Sequence, residues 1–535
     1  MRTTMSVIIE FPGSLFSSFQ EKNHGANKVS QTLFKCLANK LSGPIFVVTN
    51  APYKDFLSFK TQFKEANLIH TNYTTLHKTL ENYPKPDLAF TSDLAMEKLL
   101  FFRNYFGYTF PVIGLVHYLG SQSSIATLKQ TLSLFSPIDI LICPSAHVQK
   151  TVLNLSNKLS PKKILKTQCP VIPFGIDTST FIPELDKKTL LKKQLNLTEK
   201  DILILHISRI NAFTKTDLLP LIHNFETTTM ATPSVHLFIV GELHSEFYFE
   251  HIKLYIEERG LSKKIHFITR PDSLNMHIYF QAADIFISLA DNPCETFGLT
   301  AIEAMSCCLP VILSDFCAYS SFIENQKEGF LIPTFRGECH LEIPFFLANA
   351  SDFGDTLIQS TAIDNSTFRK ALSKLIKNPN LRSKMGILGR KVVLKKYTLE
   401  KMTISYLALF NKTVLNSKKN SPNHFLRPKL TQLDGSLNHV ASLSLTTNTC
   451  FKITPFGKSI IEKKESFFTF EKHLIERPFL ALLMDIFKKG IYSLENLTSF
   501  FPKEDSLQLT LLYLLKHDLL EIVKSESFSK TPHPR

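Results

Sequence analysis

The chain has 535 residues, 44% of them hydrophobic and 20% charged, the balance of a globular protein long enough for two or three separate cores. No apolar run approaches the roughly eighteen residues that a membrane-spanning helix needs. The opening MRTTMSVIIEFPG lacks the small-residue cleavage site of a secretory signal, so a cytoplasmic location is expected. A formal net charge of +14 calls for an acidic partner, whether a phosphate-bearing small molecule, anionic lipid or nucleic acid. The nine cysteines form no CxxC pair and read as reduced, mostly buried thiols, with no metal-ligand spacing among them.

SVIIEF at 6–11 predicts a first strand, and the loop after it, which carries Gly25, leads into an amphipathic helix around TLFKCLANKL (32–41). Strand-like runs then alternate with helical ones at IFVVTN (45–50), LAFTS (88–92), VIGLVH (112–117) and DILICPS (139–145), the rhythm of a parallel sheet covered by helices. His117 closes the third of these at a strand's carboxyl end, where doubly wound sheets place ligands; a histidine held there by backbone is the plain alternative. VIPFGID (171–177), with two prolines nearby and Gly175, gives a defined crossing between a first domain, 1–177, and a second, 178–416.

The second domain repeats the rhythm with ILILHIS (202–208), followed by the cations Arg209 and Lys215, then VHLFIVGE (235–242) and IHFIT (265–269). AADIFISLA (282–290), LPVILSD (309–315) and EGFLIP (328–333) complete it. Residues 334–363 break the pattern and read as an insertion, after which long amphipathic helices end near 399–415. A polar linker is expected over 417–449, a small, mainly helical module with a loose winged-helix rhythm over 450–525, and a disordered tail over 526–535. The third helix of that module, LQLTLLYLLKHDLL, is too apolar to face nucleic acid, so a protein partner is expected for it and DNA binding is not.

NPCETFGLTAIEAMSCCLP (292–310) is the stretch around which the rest is arranged. It joins a strand to a helix start, and Gly298 at the joint has no Cβ to hold a ligand away from the N–H groups of Phe297, Leu299 and Thr300. Such a helix start attracts anions, a diphosphate above all, and Glu303 one turn into the helix can accept from a ribose diol, while Glu295 precedes the turn. Two solvated glutamates around an ordinary helix start are the plain alternative.

With ETFGL, EAM and LPVI in register, the stretch resembles the donor signature of the retaining glycosyltransferases of family 4, over roughly residues 1–415 of the chain. It departs from that pattern at Cys308, where the family usually has glycine, and at SDFCAYSSF (314–322), where it has an Asp-x-x-Gly turn. The resemblance implies an α/β GT-B architecture of two facing, doubly wound Rossmann-like domains, the first for an acceptor and the second for a nucleotide sugar, with the last helix crossing back to the first domain. It implies metal-independent transfer from a UDP- or GDP-type donor to a glycan or lipid-linked acceptor with retention, and no cofactor. Arg209 and Lys215 would hold the departing diphosphate, Glu303 the ribose, Glu295 and His117 the sugar, and Gly25 would let backbone approach the phosphates. Peripheral contact with an anionic membrane is expected at Lys162, Lys163 and Lys166. The alternatives are a non-catalytic GT-B scaffold working through its C-terminal module, an epimerase of the same fold, and a nucleic-acid regulator.

Overall fold

The computed structural model describes residues 3–12, 25–119, 122–159, 164–211, 216–232, 234–272, 275–291, 295–336, 361–420, 450–454, 458, 477–501, 507, 511, 514 and 520–523. The first half builds six parallel strands, β1 (Val7–Glu10), β2 (Pro44–Val48), β3 (Asn67–Thr71), β4 (Leu88–Thr91), β5 (Val112–Leu115) and β6 (Ile140–Ile142), in the spatial order β3-β2-β1-β4-β5-β6. VIIE, PIFVV, LAFT and VIGL are apolar almost without alternation because helices cover both faces of the sheet. Strand β3 was not among those expected. Its sequence NLIHT lies at the sheet edge with Asn67 exposed, so its apolar signal is thin.

The second half repeats the design with β7 (Ile202–Ile207), β8 (Val235–Val240), β9 (Ile265–Ile268), β10 (Ile285–Ser288), β11 (Val311–Ser314) and β12 (Gly329–Ile332), ordered β12-β11-β10-β7-β8-β9 and parallel throughout. In each sheet the winding direction reverses once, between β1 and β4 and between β7 and β10. A crevice opens outside the carboxyl ends of the strands at such a reversal.

The two halves are stitched at the crossing. Ile172 N–H donates to the Cys143 carbonyl beside β6, and Ile176 N–H donates to the Tyr397 carbonyl at 2.9 Å. The helix Leu399–Asn420 then packs on the first half, where Tyr406 and Phe410 meet Phe90 at ring-centroid distances of 6.1 and 5.5 Å. One apolar core therefore runs from Val7 and Leu115 through Phe174 to Phe286, Phe297 and Tyr406.

A separate unit holds Pro428–Arg535 together with Asn72–Thr79. In it β15 (Cys450–Ile453) pairs antiparallel with β16 (Tyr492–Ser493) and β17 (Leu520–Val523). The helices Arg477–Phe487 and Leu494–Phe500 close its core around Phe451, Leu483, Phe487 and Leu497. Only the ends of the expected insertion are described; there β13 (Thr334–Arg336) pairs antiparallel with β14 (Thr361–Ile363). The expected linker, 417–449, begins later than read, because the helix Leu399–Asn420 continues through its first four residues; 421–449 and the tail 526–535 lie outside the described residues. Among the described residues no helix is long and apolar enough to cross a membrane.

Candidate functional site

The crevice of the second sheet is bounded by the segments at the carboxyl ends of β7 and β10. Arg209 stands two residues past β7, and Glu295 to Gly298 form the loop beyond β10. The backbone on either side of Arg209 is fixed by strand-like pairing: Ser208 N–H donates to Val240 O and Ile210 N–H to Glu242 O. Beneath it, Nδ1 of the buried His206 donates to the Ile287 carbonyl at 3.0 Å, which leaves Nε2 to accept from Ser208 Oγ at 2.8 Å. His206 thereby ties β10 to the residue preceding Arg209.

Gly298 caps the helix Leu299–Ser306 with φ +95°, a conformation that side chains resist. A Cβ there would also lie 2.1 Å from Cε1 of Tyr319, so the glycine lets a tyrosine ring lie against the turn. Tyr319 belongs to the short 3-10 helix Cys317–Ser321, within the stretch where the sequence differs from the signature it resembles. Its hydroxyl is 2.7 Å from Ser288 Oγ and also bonds the Thr300 side chain, while burial and the Glu295 charge push its pKa up. Both departures keep a glycine-like backbone without glycine: Cys308 has φ +59° and Cys317 φ +51°. Phe297 is buried between Phe174 and Phe322, with ring centroids 5.0 and 5.1 Å away.

Glu295 and Glu303 are both withdrawn from water, at 8% and 6% exposure, which sets aside the picture of two solvated charges. Glu303 Oε1 accepts from Lys28 Nζ at 3.0 Å, and Lys28 comes from the helix Gly25–Ala38 of the first half. Opposite the signature loop stands His117, two residues beyond β5. Thr296 Oγ1 donates to the His117 carbonyl at 2.7 Å, and Ser145 Oγ donates to the Thr296 carbonyl at 3.0 Å. The signature loop is thus bonded on both sides of one residue to the first half.

The His117 imidazole stacks on Phe174 and donates to the Ser92 backbone, with Ser30 Oγ at 3.5 Å from Nε2. Protein atoms surround the ring, although the residue as a whole is only partly buried. Their desolvating effect pushes its pKa down to about 4, against the opposing charge of Asp93, so the ring is neutral at pH 7.

Of the residues expected at the site, Glu295, Phe297, Gly298, Leu299, Thr300 and Glu303 fall on one turn and helix start, and Arg209 lies at the same end of the sheet. His117 and the helix that begins at Gly25 approach from the first half. Lys215, Lys162 and Lys163 lie outside the described residues, and Lys166 is in a short 3-10 turn, Lys166–Gln168. The sequence reading missed Lys28, Thr296 and Tyr319. The only signal for Tyr319 was the broken turn pattern, and a partner 275 positions away leaves no local mark for Lys28.

Residues 187–338 match the family described as glycosyl transferases group 1. Among curated relatives, the chain is 25% identical over 179 residues to a D-inositol 3-phosphate glycosyltransferase of Jonesia denitrificans, covering 31% of this chain and 40% of that protein. It is 30% identical over 161 residues to the lipopolysaccharide core biosynthesis mannosyltransferase LpsB of Rhizobium meliloti, covering 30% of this chain and 44% of that protein. The matches thus span less than half the length of these relatives. Among solved structures, Anabaena HepE in complex with UDP superposes with a TM-score of 0.56 at 13% identity, over 76% of this chain and 100% of HepE. A glycosyltransferase from Rickettsia africae does so with a TM-score of 0.56 at 16% identity, over 78% of this chain and 99% of its own. The chain has the two-domain Rossmann-like GT-B fold, and its second half carries the segment similar in sequence to the group 1 glycosyl transferases.

Proposed function

We propose that the chain is a glycosyltransferase that moves a sugar from a nucleoside diphosphate sugar of the UDP or GDP type to an acceptor hydroxyl, with retention at the anomeric carbon and without a metal ion. The observation that carries this reading is the coincidence of the signature turn, Arg209 and a buried glutamate at the winding reversal of the second sheet. A diphosphate leaving group needs positive charge where negative charge develops. The helix start capped by Gly298, together with Arg209 and Lys215, provides it in place of a metal. Glu303 accepts from the ribose diol and Glu295 orients the sugar. His117, uncharged at pH 7, faces the sugar as a neutral hydrogen-bonding group. Gly25 opens the helix nearest the phosphates, and the acceptor, a glycan or lipid-linked hydroxyl, enters from the first half. Retention rests on the resemblance to family 4, and a UDP-type donor agrees with the UDP held by HepE.

The test is thermal stabilisation of the full chain across nucleoside diphosphates and their sugars, with chelator present, beside Glu303→Ala and Arg209→Ala. Binding to the native state alone raises the transition by RT ln(1 + [L]/Kd), about 2.7 kcal/mol at a hundredfold excess over Kd. A shift with UDP or GDP species that both variants lose is the expected result. No shift with any nucleotide would overturn the reading and leave a GT-B binding protein acting through its C-terminal unit.

A further inference from the structure

The ion pair between Lys28 and Glu303 sits on the atom that the proposed function reserves for a ligand. We propose that it is a latch across the cleft that a nucleoside diphosphate must open, the ribose diol replacing the Lys28 ammonium on Glu303. The inference rests on the assignment of Glu303 to the ribose made above.

Four observations carry it. The Glu303 side chain is only 8% exposed, and a carboxylate so far from water needs a donor; the Lys28 ammonium is that donor at 3.0 Å. A vicinal diol offers two O–H donors that together engage both carboxylate oxygens, and Oε1 is already taken by Lys28, so the two donors compete. The Lys28 side chain is 42% exposed, so its ammonium keeps part of its hydration and can return to water once another donor serves Glu303. Finally, Nζ lies 5.1 Å from the centroid of the Phe181 ring, and that face gives the ammonium a partner after it leaves Glu303. Because Lys28 belongs to the first half and Glu303 to the second, opening the latch exchanges a direct tie between the halves for a ligand.

The energetic consequence is a reduced apparent affinity. If the latch is closed about nine-tenths of the time, the competent fraction is about one-tenth and the apparent Kd is about tenfold weaker than the intrinsic one. Titration calorimetry of the full chain with UDP and GDP tests this on the wild type, Lys28→Met and Glu303→Ala. Lys28→Met keeps the apolar stem and removes the charge. It is expected to bind the preferred nucleotide about tenfold more tightly, and to show no gain with the 2′,3′-dideoxy form of that nucleotide. An unchanged Kd for Lys28→Met overturns the latch, and a weaker one overturns it in favour of a direct contact between Lys28 and the nucleotide. Binding that Glu303→Ala leaves intact removes the ribose assignment and the latch together while sparing nucleotide recognition. No binding of either nucleotide to any of the three proteins sinks the donor reading itself.

Discussion

Asp291 stands just past β10 with one carboxylate oxygen, Oδ1, buried and without a hydrogen-bond partner. Its other oxygen accepts from the Asp217 N–H at 3.3 Å, and the Asp217 carboxylate accepts from Tyr248 OH at 2.8 Å. Burial first, then the Asp217 charge, pushes the Asp291 carboxyl up to about 8, against the pull of two backbone N–H groups. An unfolded aspartate titrates near 3.9, so between about pH 4 and pH 8 the native state binds a proton that the unfolded chain does not. Stability from this residue is therefore complete below about pH 4 and is lost progressively as the pH rises to about 8. Asp291→Asn keeps the shape and removes the titration. It is expected to be more stable than the wild type at pH 8, by an amount on the order of a few kcal/mol, with the gap closing towards pH 5. Urea midpoints of both proteins at pH 5, 6.5 and 8 decide it, and a gap that does not change with pH would refute it.

At the scale of elements, the helix Leu299–Ser306 is held in place from its far end. It runs into Cys308, whose positive φ costs a non-glycine residue about 1–3 kcal/mol. Against that turn packs the helix Pro379–Lys396, at Gly386: a Cβ there would lie 1.8 Å from the Cys308 carbonyl oxygen, a backbone atom with no side-chain freedom to move aside. Gly386→Ala is expected to destabilise by at least about 1–3 kcal/mol. Cys308→Gly relieves the turn but loosens the unfolded chain by about 0.5–1 kcal/mol, so its stability should equal or slightly exceed that of the wild type. Loss of stability in Cys308→Gly beyond about 1 kcal/mol would show that the thiol's packing outweighs the strain.

These elements also mark what the sequence makes legible. Parallel strands buried on both faces announce themselves as apolar runs, and the Glu295–Glu303 stretch is a local pattern because its residues follow one another along one loop and the helix it leads into. Tyr319 against Gly298 and Ser288, and Lys28 against Glu303, are contacts between elements, and no periodicity within either element encodes them. The edge strand β3 escaped for a different reason, since only Leu68 and Thr71 of its five residues are buried and its apolar run is two residues long.

For the whole molecule, the packing implies how it comes apart. The two Rossmann-like halves share one continuous apolar core that includes Phe174 in the crossing and Tyr406 and Phe410 in the returning helix. The C-terminal unit closes its own core around Phe451, Phe487, Leu497 and Leu511. The C-terminal core shares no residue with the two apolar clusters of the GT-B region, one running through both halves and one confined to the second, which predicts two calorimetric transitions, in which the halves of the GT-B region melt as one and the C-terminal unit melts as the other. Core truncations should sort accordingly: Phe410→Ala, at a cost of about 3–5 kcal/mol, lowers the larger transition alone, and Leu497→Ala, at about 2–5 kcal/mol, lowers the smaller one alone. A nucleotide that binds beside Arg209 and Glu303 stabilises only the unit that contains them, so UDP or GDP should raise the larger transition and leave the smaller where it was. A single transition that moves with either truncation would mean that the chain folds as one cooperative body, and a nucleotide shift of the smaller transition would place a ligand site in the C-terminal unit.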